Sequence, residues 1–575
     1  MSRRARMSAV PHCLLALALL SSCVRGDLPP SAAGGAPWDR FVAEYIESYF
    51  AAWPEAAVWA GRHEFDGRLA DVSREALVRE GARLRAMRAR ALAFDPGGLD
   101  AARRFEQAYV VAQTDGDLFW LERAEGPYRN PTFYLGSLDP DVYVSRPYAP
   151  LAVRLRGYVG HARALPRVVA QMRANLRTPL PATYVERGAS MAGGLAQFLG
   201  SEVPAVFAAV DDPGLQADFA QANGAAVAAL RELAAWFKGE RGRATGDFAL
   251  GSERFRDMLW ATERVDVPLA RLEEIGRADL QRNLTALRTA CDRLAPGSSL
   301  VSCTERVRAR KPPDGPVQAA RRQLQSLQRF VLERDLVGVP STEEALVAEA
   351  PPYNRANAAY INIPGPYEKG LPAVYYIAPP DPRWTAKERA DYAPGETVLL
   401  FISVHEVFPG HFVQFLHSNR TRSTFGRLFR STAFTEGWAH YVEEMTWEAG
   451  LGDGDASVHV GELLQALVRN VRFLAAIGLH TGGMGVAEAE RLFREQAFQD
   501  AGNARQQAAR GTYDPAYLSY TLGKLMLGKL REEWTRPRQG RAAWRAFHDT
   551  VLSYGAPPIP LIRDAMLGPD AGPAL

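Results

Sequence analysis

The segment Val398–Leu416, VLLFISVHEVFPGHFVQFL, constrains the fold more than any other stretch of this 575-residue chain. It is apolar enough to be buried, yet it carries His405, Glu406 and His411. Buried ionisable groups need partners or a function, so the fold must bring other polar groups to them. A His-Glu pair on a helix can divide labour, the imidazole binding zinc and the carboxylate taking a proton from an activated water. The familiar His-Glu-x-x-His spacing is absent, because Pro409 stands where the second histidine would be. The next histidine, His411, is six residues after the first. Six residues turn a regular helix by about 600°, which leaves the two side chains about 120° apart. An unbroken helix therefore cannot aim both at one ion. Pro409 lacks the N–H that would close the helical ladder, and Gly410 tolerates backbone that other residues avoid, so a kink or loosened turn there is expected.

A second polar cluster follows in TEGWAHYVEE. Glu436, His440 and Glu443 lie at i, i+4 and i+7 and share one helical face. Glu436 comes 25 residues after His411, a separation that suits a ligand from the next antiparallel helix. Two histidines and a carboxylate with an open fourth position describe a catalytic zinc site. His440 or Glu443 would steady those ligands from behind. A set made of His405, Glu436 and His440 is the alternative. At such a site Glu406 would act as general base in the hydrolysis of an amide, with a Tyr or His donor at the oxyanion.

Around these clusters the chain reads as helical. Trp38 to Phe50 is amphipathic, with Phe41, Tyr45 and Tyr49 four residues apart. Periodic stretches follow near 76–93, 101–121, 150–176, 215–238, 267–294 and 316–335, and again at 397–418, 433–449, 457–479, 486–509 and 515–534. Residues 357–378 break the pattern: strand formers such as Tyr360, Ile361, Val374 and Tyr376 are split by Pro364-Gly365-Pro366 and Lys369-Gly370, which predicts a small hairpin or strand pair. The expected architecture is mostly α, with a small β element beside a deep cleft, in one large unit over 38–575 that has room for two lobes. His417 is expected on a helix surface, and the arginines before position 310 on exposed helix faces.

The charges nearly cancel, to a net of +3, and give no support for a nucleic-acid partner. At the N-terminus Arg3, Arg4 and Arg6 precede a short apolar run from Cys13 to Leu20, a signal segment over 1–22 rather than a permanent membrane helix. Leu20-Ser21-Ser22-Cys23 resembles the bacterial lipobox, which would place a lipid on Cys23; an ordinary secretory signal cut a few residues later is the alternative. Residues 23–37 then form a Pro/Gly/Ala linker. Val24 is not Asp, so retention at the inner membrane is not signalled, and the outer membrane facing the periplasm is the expected location. No other stretch reads as a membrane span, so the lipid would be the only membrane contact. Of the remaining cysteines, Cys291 and Cys303 are expected to pair in an oxidising compartment, with two unpaired buried thiols as the alternative.

The runs HEVFPGHFVQ and TEGWAHYVEE together resemble the bacterial DUF885 family, a domain of unknown function whose hallmark is His-Glu-x-x-Pro-Gly-His with a downstream Glu-Gly-Trp-Ala. The resemblance extends over roughly 38–570, with its specific motifs between 355 and 530. It implies a large helical fold of the zincin metallopeptidase type, one zinc ion held by His405, His411 and Glu436, Glu406 as base, and frequent anchoring as a lipoprotein. It further implies that Ala373–Tyr376 is a strand lying along the substrate, that His480 lies in a cleft, and that Tyr520 steadies an oxyanion, with Tyr517 as the alternative one turn away. The family's usual Asp near His480 is Ala476 here, and the imidazole that often follows Pro-Gly-His is Phe412. The implied substrate is a peptide or another small amide. A hydrolase of a non-peptide bond and a non-catalytic lipoprotein binding peptide or cell-wall fragments are the other classes the residues allow.

Overall fold

Helix signals dominate the chain from Pro37 onward, and side-chain caps mark where the helices begin. Ser73, Asp100, Asp212, Ser299, Ser431, Asp455 and Asp500 each accept a backbone N–H in the first turn that follows them. The computed structural model describes residues 36–351, 355, 359–380 and 385–575. The expected signal segment, Cys23 and nearly all of the linker lie outside the described residues. The rest is a mostly α fold with one small sheet.

The helices pack around separate apolar cores. One collects Val58 and residues up to Phe237, and joins the helices Leu151–Asn175, Ala182–Ser201 and Pro213–Glu240. Another runs from Phe119 to Ile562 and includes Phe434, Trp438, Leu467 and Leu527. It surrounds the helices that matter for function: α1 (Glu396–Glu406), α2 (His411–Ser418), α3 (Thr432–Glu448), α4 (Ala456–Thr481) and α5 (Ser519–Thr535). Within this core α3 and α5 approach closely, because a Cβ on Gly437 would lie 2.4 Å from the Gly523 Cα. A buried ionic network ties the same helices to Leu269–Leu294: Lys524 Nζ is 2.8 Å from Asp279 and 3.1 Å from Glu444, and Arg282 is 2.7 Å from Glu444. Cys291 and Cys303 form the expected disulfide, with Cα atoms 5.9 Å apart.

The break in helical pattern contains three strands rather than a pair. β1 (Ala345–Glu349) runs parallel to β3 (Ala373–Ile377), and β2 (Ala359–Asn362) runs antiparallel to β3, in the order β1-β3-β2. Tyr360 and Tyr376 stack across the β2–β3 ladder, and the buried Tyr375 hydroxyl meets Ser403 on α1 at 3.4 Å. The sheet therefore leans on the helix that carries His405. One stretch of the described residues, Glu396–Ser418, is long and apolar enough to cross a membrane by length and composition. That corrects the sequence expectation of no such stretch; here it is core, largely buried and broken at 407–410.

Candidate metal centre

The site begins where α1 stops. The Gly410 N–H bonds to the Val404 carbonyl at 2.9 Å, and the chain restarts as a new helix at His411. The break is complete where the sequence predicted a kink. Gly410 is required by space: a Cβ there would lie 1.7 Å from the His405 carbonyl oxygen. Trp438 of α3 donates its indole N–H to the Pro409 carbonyl at 3.0 Å, so the second motif braces the loop of the first. With the helix broken, the His405 and His411 rings stand edge to face, 4.9 Å between centroids.

Glu436 arrives from the first turns of α3. Ser431 caps that helix, and the buried Glu263 accepts from the Ser431 hydroxyl and from the Ala433 N–H. One Glu436 oxygen lies 3.6 Å from Nε2 of His405 and 3.6 Å from Nε2 of His411. All three donor atoms fall within 4.8 Å of one another. Bonds of about 2.0–2.2 Å to a tetrahedral zinc place neighbouring ligand atoms about 3.3–3.6 Å apart, so the carboxylate–imidazole separations suit a shared ion. The donors are also right in kind, two imidazoles and a carboxylate, and both histidines are buried. The triad can hold a metal.

Without a metal, the electrostatics of the triad favour ion pairing between the carboxylates and a protonated His405, a proton that a metal would have to displace. Burial opposes protonation of His405, but the Glu436 and Glu443 carboxylates outweigh it and push the imidazole up to about 9. Burial likewise opposes ionisation of Glu436, yet His405 and His411 hold it well below the usual carboxylate range. Behind the triad, His405 Nδ1–H donates to Glu443 at 2.6 Å, which orients the ring and turns Nε2 toward Glu436. Glu443 is fully buried and also takes Arg469 at 3.3 Å and His440 Nδ1 at 3.4 Å. Burial drives His440 down to about 4 against the pull of Glu443, so that imidazole stays neutral. Thus Glu443 supports the triad directly and His440 acts through it; His440 is not one of the three converging groups.

The triad opens into a cleft of about 1070 Å³ whose walls include Glu406, Tyr520, Arg469 and Arg472. Tyr520 lies nearly parallel to His405 at 6.3 Å, and burial, then Glu436, raises its phenol. Tyr517 is buried elsewhere and does not line the cleft, so of the two tyrosines Tyr520 is the one at the cleft wall. His480 is a correction. Its Nε2–H donates to the Gly511 carbonyl at 2.8 Å, its Nδ1 accepts from the Leu250 N–H, and Phe255 stacks on its ring. Both nitrogens are taken in the core, and burial lowers its pKa to about 4. Ala373–Tyr376, expected to lie along a substrate, falls in the central strand β3. β3 is paired on both sides, whereas β1 and β2 are the edge strands and Ala359–Asn362 of β2 line the cleft. His417 is half-buried rather than a surface residue, with Nε2–H donating to Gly338 at 2.8 Å. Ala476 and Phe412 are core residues.

Sequence reasoning missed the arginines of the cleft. Gln465, Arg469 and Arg472 repeat at i, i+4 and i+7 along α4 and form a polar stripe on an otherwise apolar helix. That stripe is the signal that could have found them. Arg187 and Arg510 also line the cleft.

Residues 54–566 match the family described as "Bacterial protein of unknown function (DUF885)", and the chain belongs to that family. No curated protein matches it. Among solved structures it is similar to a protein of unknown function from Shewanella oneidensis, provisionally described as a lipoprotein. That match has 22% identity and a TM-score of 0.77, and covers 93% of this chain and 100% of the other. A second such lipoprotein, from Colwellia psychrerythraea, gives 15% identity and a TM-score of 0.76 over 92% of this chain and 98% of its own. These likenesses establish a shared fold.

Proposed function

We propose that this member of the DUF885 family is a zinc-dependent hydrolase, acting as a peptidase in the cell envelope. The observation that carries the reading is the convergence of His405, His411 and Glu436 at the floor of a cleft that Glu406 also lines. Two imidazoles and one carboxylate suit zinc, with room for a fourth group. A zinc ion held there supplies Lewis acidity, making a water more acidic and polarising a carbonyl. Glu406 takes a proton from the attacking water as its oxygen bonds to the carbonyl carbon. The C–N bond then breaks, and Glu406 passes the proton to the leaving amine, giving a carboxylate and an amine. Tyr520 keeps its phenolic proton and donates a hydrogen bond to the developing oxyanion. Glu443 holds His405 in the tautomer the site needs. β2, an edge strand whose residues line the cleft, would lie alongside an extended substrate.

Anchoring through a lipid on Cys23 fits the lipobox-like Leu20–Cys23 and the description of the two structural relatives as lipoproteins. The test is metal content together with a peptide-library digest read by mass spectrometry. Glu406→Gln should keep the metal and lose most activity, whereas His405→Ala should lose both. A Glu406→Gln variant with full hydrolytic rate sinks the mechanism.

A further inference from the structure

Three guanidiniums crowd the wall beside Tyr520, and two of them are already served. Arg469 faces Glu443 at 3.3 Å, and Arg510 faces Asp514 at 2.9 Å. Arg472 is different. Its Nε–H donates to Gln507 at 2.8 Å and its guanidinium lies 4.9 Å over the Tyr520 ring, but among the described residues no carboxylate pairs with it. Its two terminal nitrogens are left for something in the cleft. Arg187, reaching the same cleft from the helix Ala182–Ser201, also has no carboxylate partner among the described residues and lies 5.8 Å over Tyr513. A partly buried cation is costly to leave uncompensated. Burial and the neighbouring Arg510 and Arg469 push Arg472 down to about 10, a field that an anion would relieve.

We infer that the cleft reads its substrate by a main-chain carboxylate held on Arg472, with Arg187 as the second cation, so that the enzyme cuts near the C-terminal end of a peptide. This rests on the hydrolase reading and names its substrate class. The guanidinium presents parallel N–H groups that match a planar carboxylate. The distance sets the product. Arg472 is one aromatic ring from the metal ligands, since Tyr520 lies 4.9 Å beneath it and 6.3 Å from His405. At about 3.3–3.6 Å per extended residue, that span corresponds to no more than about three residues. A chain whose end is held at Arg472 therefore loses a fragment of one to three residues.

The test compares one peptide sequence as a free acid, as a C-terminal amide, and as an amide ending in glutamate, with the parent, Arg472→Gln and Arg472→Lys. The free acid should be cleaved with kcat/KM about 10- to 100-fold above the amide, the range of charge-assisted hydrogen bonds. Arg472→Gln should abolish that ratio and Arg472→Lys should keep part of it. Because the ratio is internal to each variant, a general loss of activity does not mimic the result. Equal rates for acid and amide in the parent, or an unchanged ratio in Arg472→Gln, overturn the inference. An amide ending in glutamate that matches the free acid also overturns it, by moving recognition to a side chain. If no peptide is hydrolysed, calorimetry decides. Preferential binding of the free acid, lost in Arg472→Gln, upholds the carboxylate site while the hydrolase reading falls; equal or undetectable binding ends both.

Discussion

Replacing Gly410 with alanine puts a methyl carbon 1.7 Å from the His405 carbonyl oxygen and 2.4 Å from that of Val404. Ordinary contact begins near 3.4 Å, so the two backbones must part by about 1.7 Å. Neither obstacle is a flexible side chain that could swing away; both belong to the last turn of α1. Metal–ligand distances tolerate shifts of about 0.2 Å, so the required movement exceeds the tolerance roughly eightfold. It also pushes His411 away from His405, since the break between α1 and α2 is what brings the rings together. The expected outcome is a fall in zinc affinity of at least ~100-fold, or about 2.7 kcal/mol. Strain from overpacking adds a cost of about 1–3 kcal/mol to folding. The assay is zinc titration of metal-stripped protein against a competing chelator, with thermal melts of the metal-free form. His411→Ala is the comparison, because it removes the ligand without a clash and should lose affinity to a similar degree. A folded Gly410→Ala protein that binds zinc like the parent would refute the reasoning, because the histidines would then meet without the tight break.

Glu443→Gln should weaken metal binding about 10- to 100-fold in the same titration, because His405 loses the carboxylate that orients it. Glu263, buried beneath the start of α3, is raised by desolvation from 4.5 to about 7, against the hydrogen bonds from Ser431 and the backbone. The folded chain therefore holds a proton there that the unfolded chain has released. Stability should fall as pH rises from about 4.5 to 7 and then level off, by on the order of 3 kcal/mol from this group. Glu263→Gln should flatten that part of the profile in urea melts; an identical slope in parent and variant speaks against the assignment. Cys23→Ala should release the protein from the membrane fraction or block its maturation, as read by fractionation, and equal membrane association would end the lipid-anchor reading.

Much of the helical frame was legible because local periodicity reports it. Trp38–Phe50, 267–294 and 433–449 all carry apolar residues at helical spacing and were found as helices. β1 was not legible. ALVAE is alanine-rich, and each of its residues pairs in parallel with one 28 positions later, in β3. Nothing in a short window announces such a pairing. For the same reason the sequence could not say which strands were the edges. The family block suggested β3, but β1 covers β3 on its far side and leaves β2 at the cleft.

The sequence by itself determined that an unbroken helix could not aim His405 and His411 at one ion, and it pointed to Pro409-Gly410 as the place for a kink or loosened turn. Those are consequences of covalent geometry and helical pitch, which need no tertiary contact. It also placed Glu436, His440 and Glu443 on one face of the next helix. Only the tertiary structure decided how they divide. Glu436 meets the two Nε2 atoms, Glu443 takes the Nδ1–H of His405, and His440 sits behind. It likewise assigned His480 to the core and Tyr520 to the cleft, although both were named from a family pattern. A histidine buried against a carbonyl and one poised for chemistry have the same local sequence signature. What separates them is which distant helix packs against the ring, and that is set by close approaches such as Gly437 on Gly523 that join residues far apart in the chain.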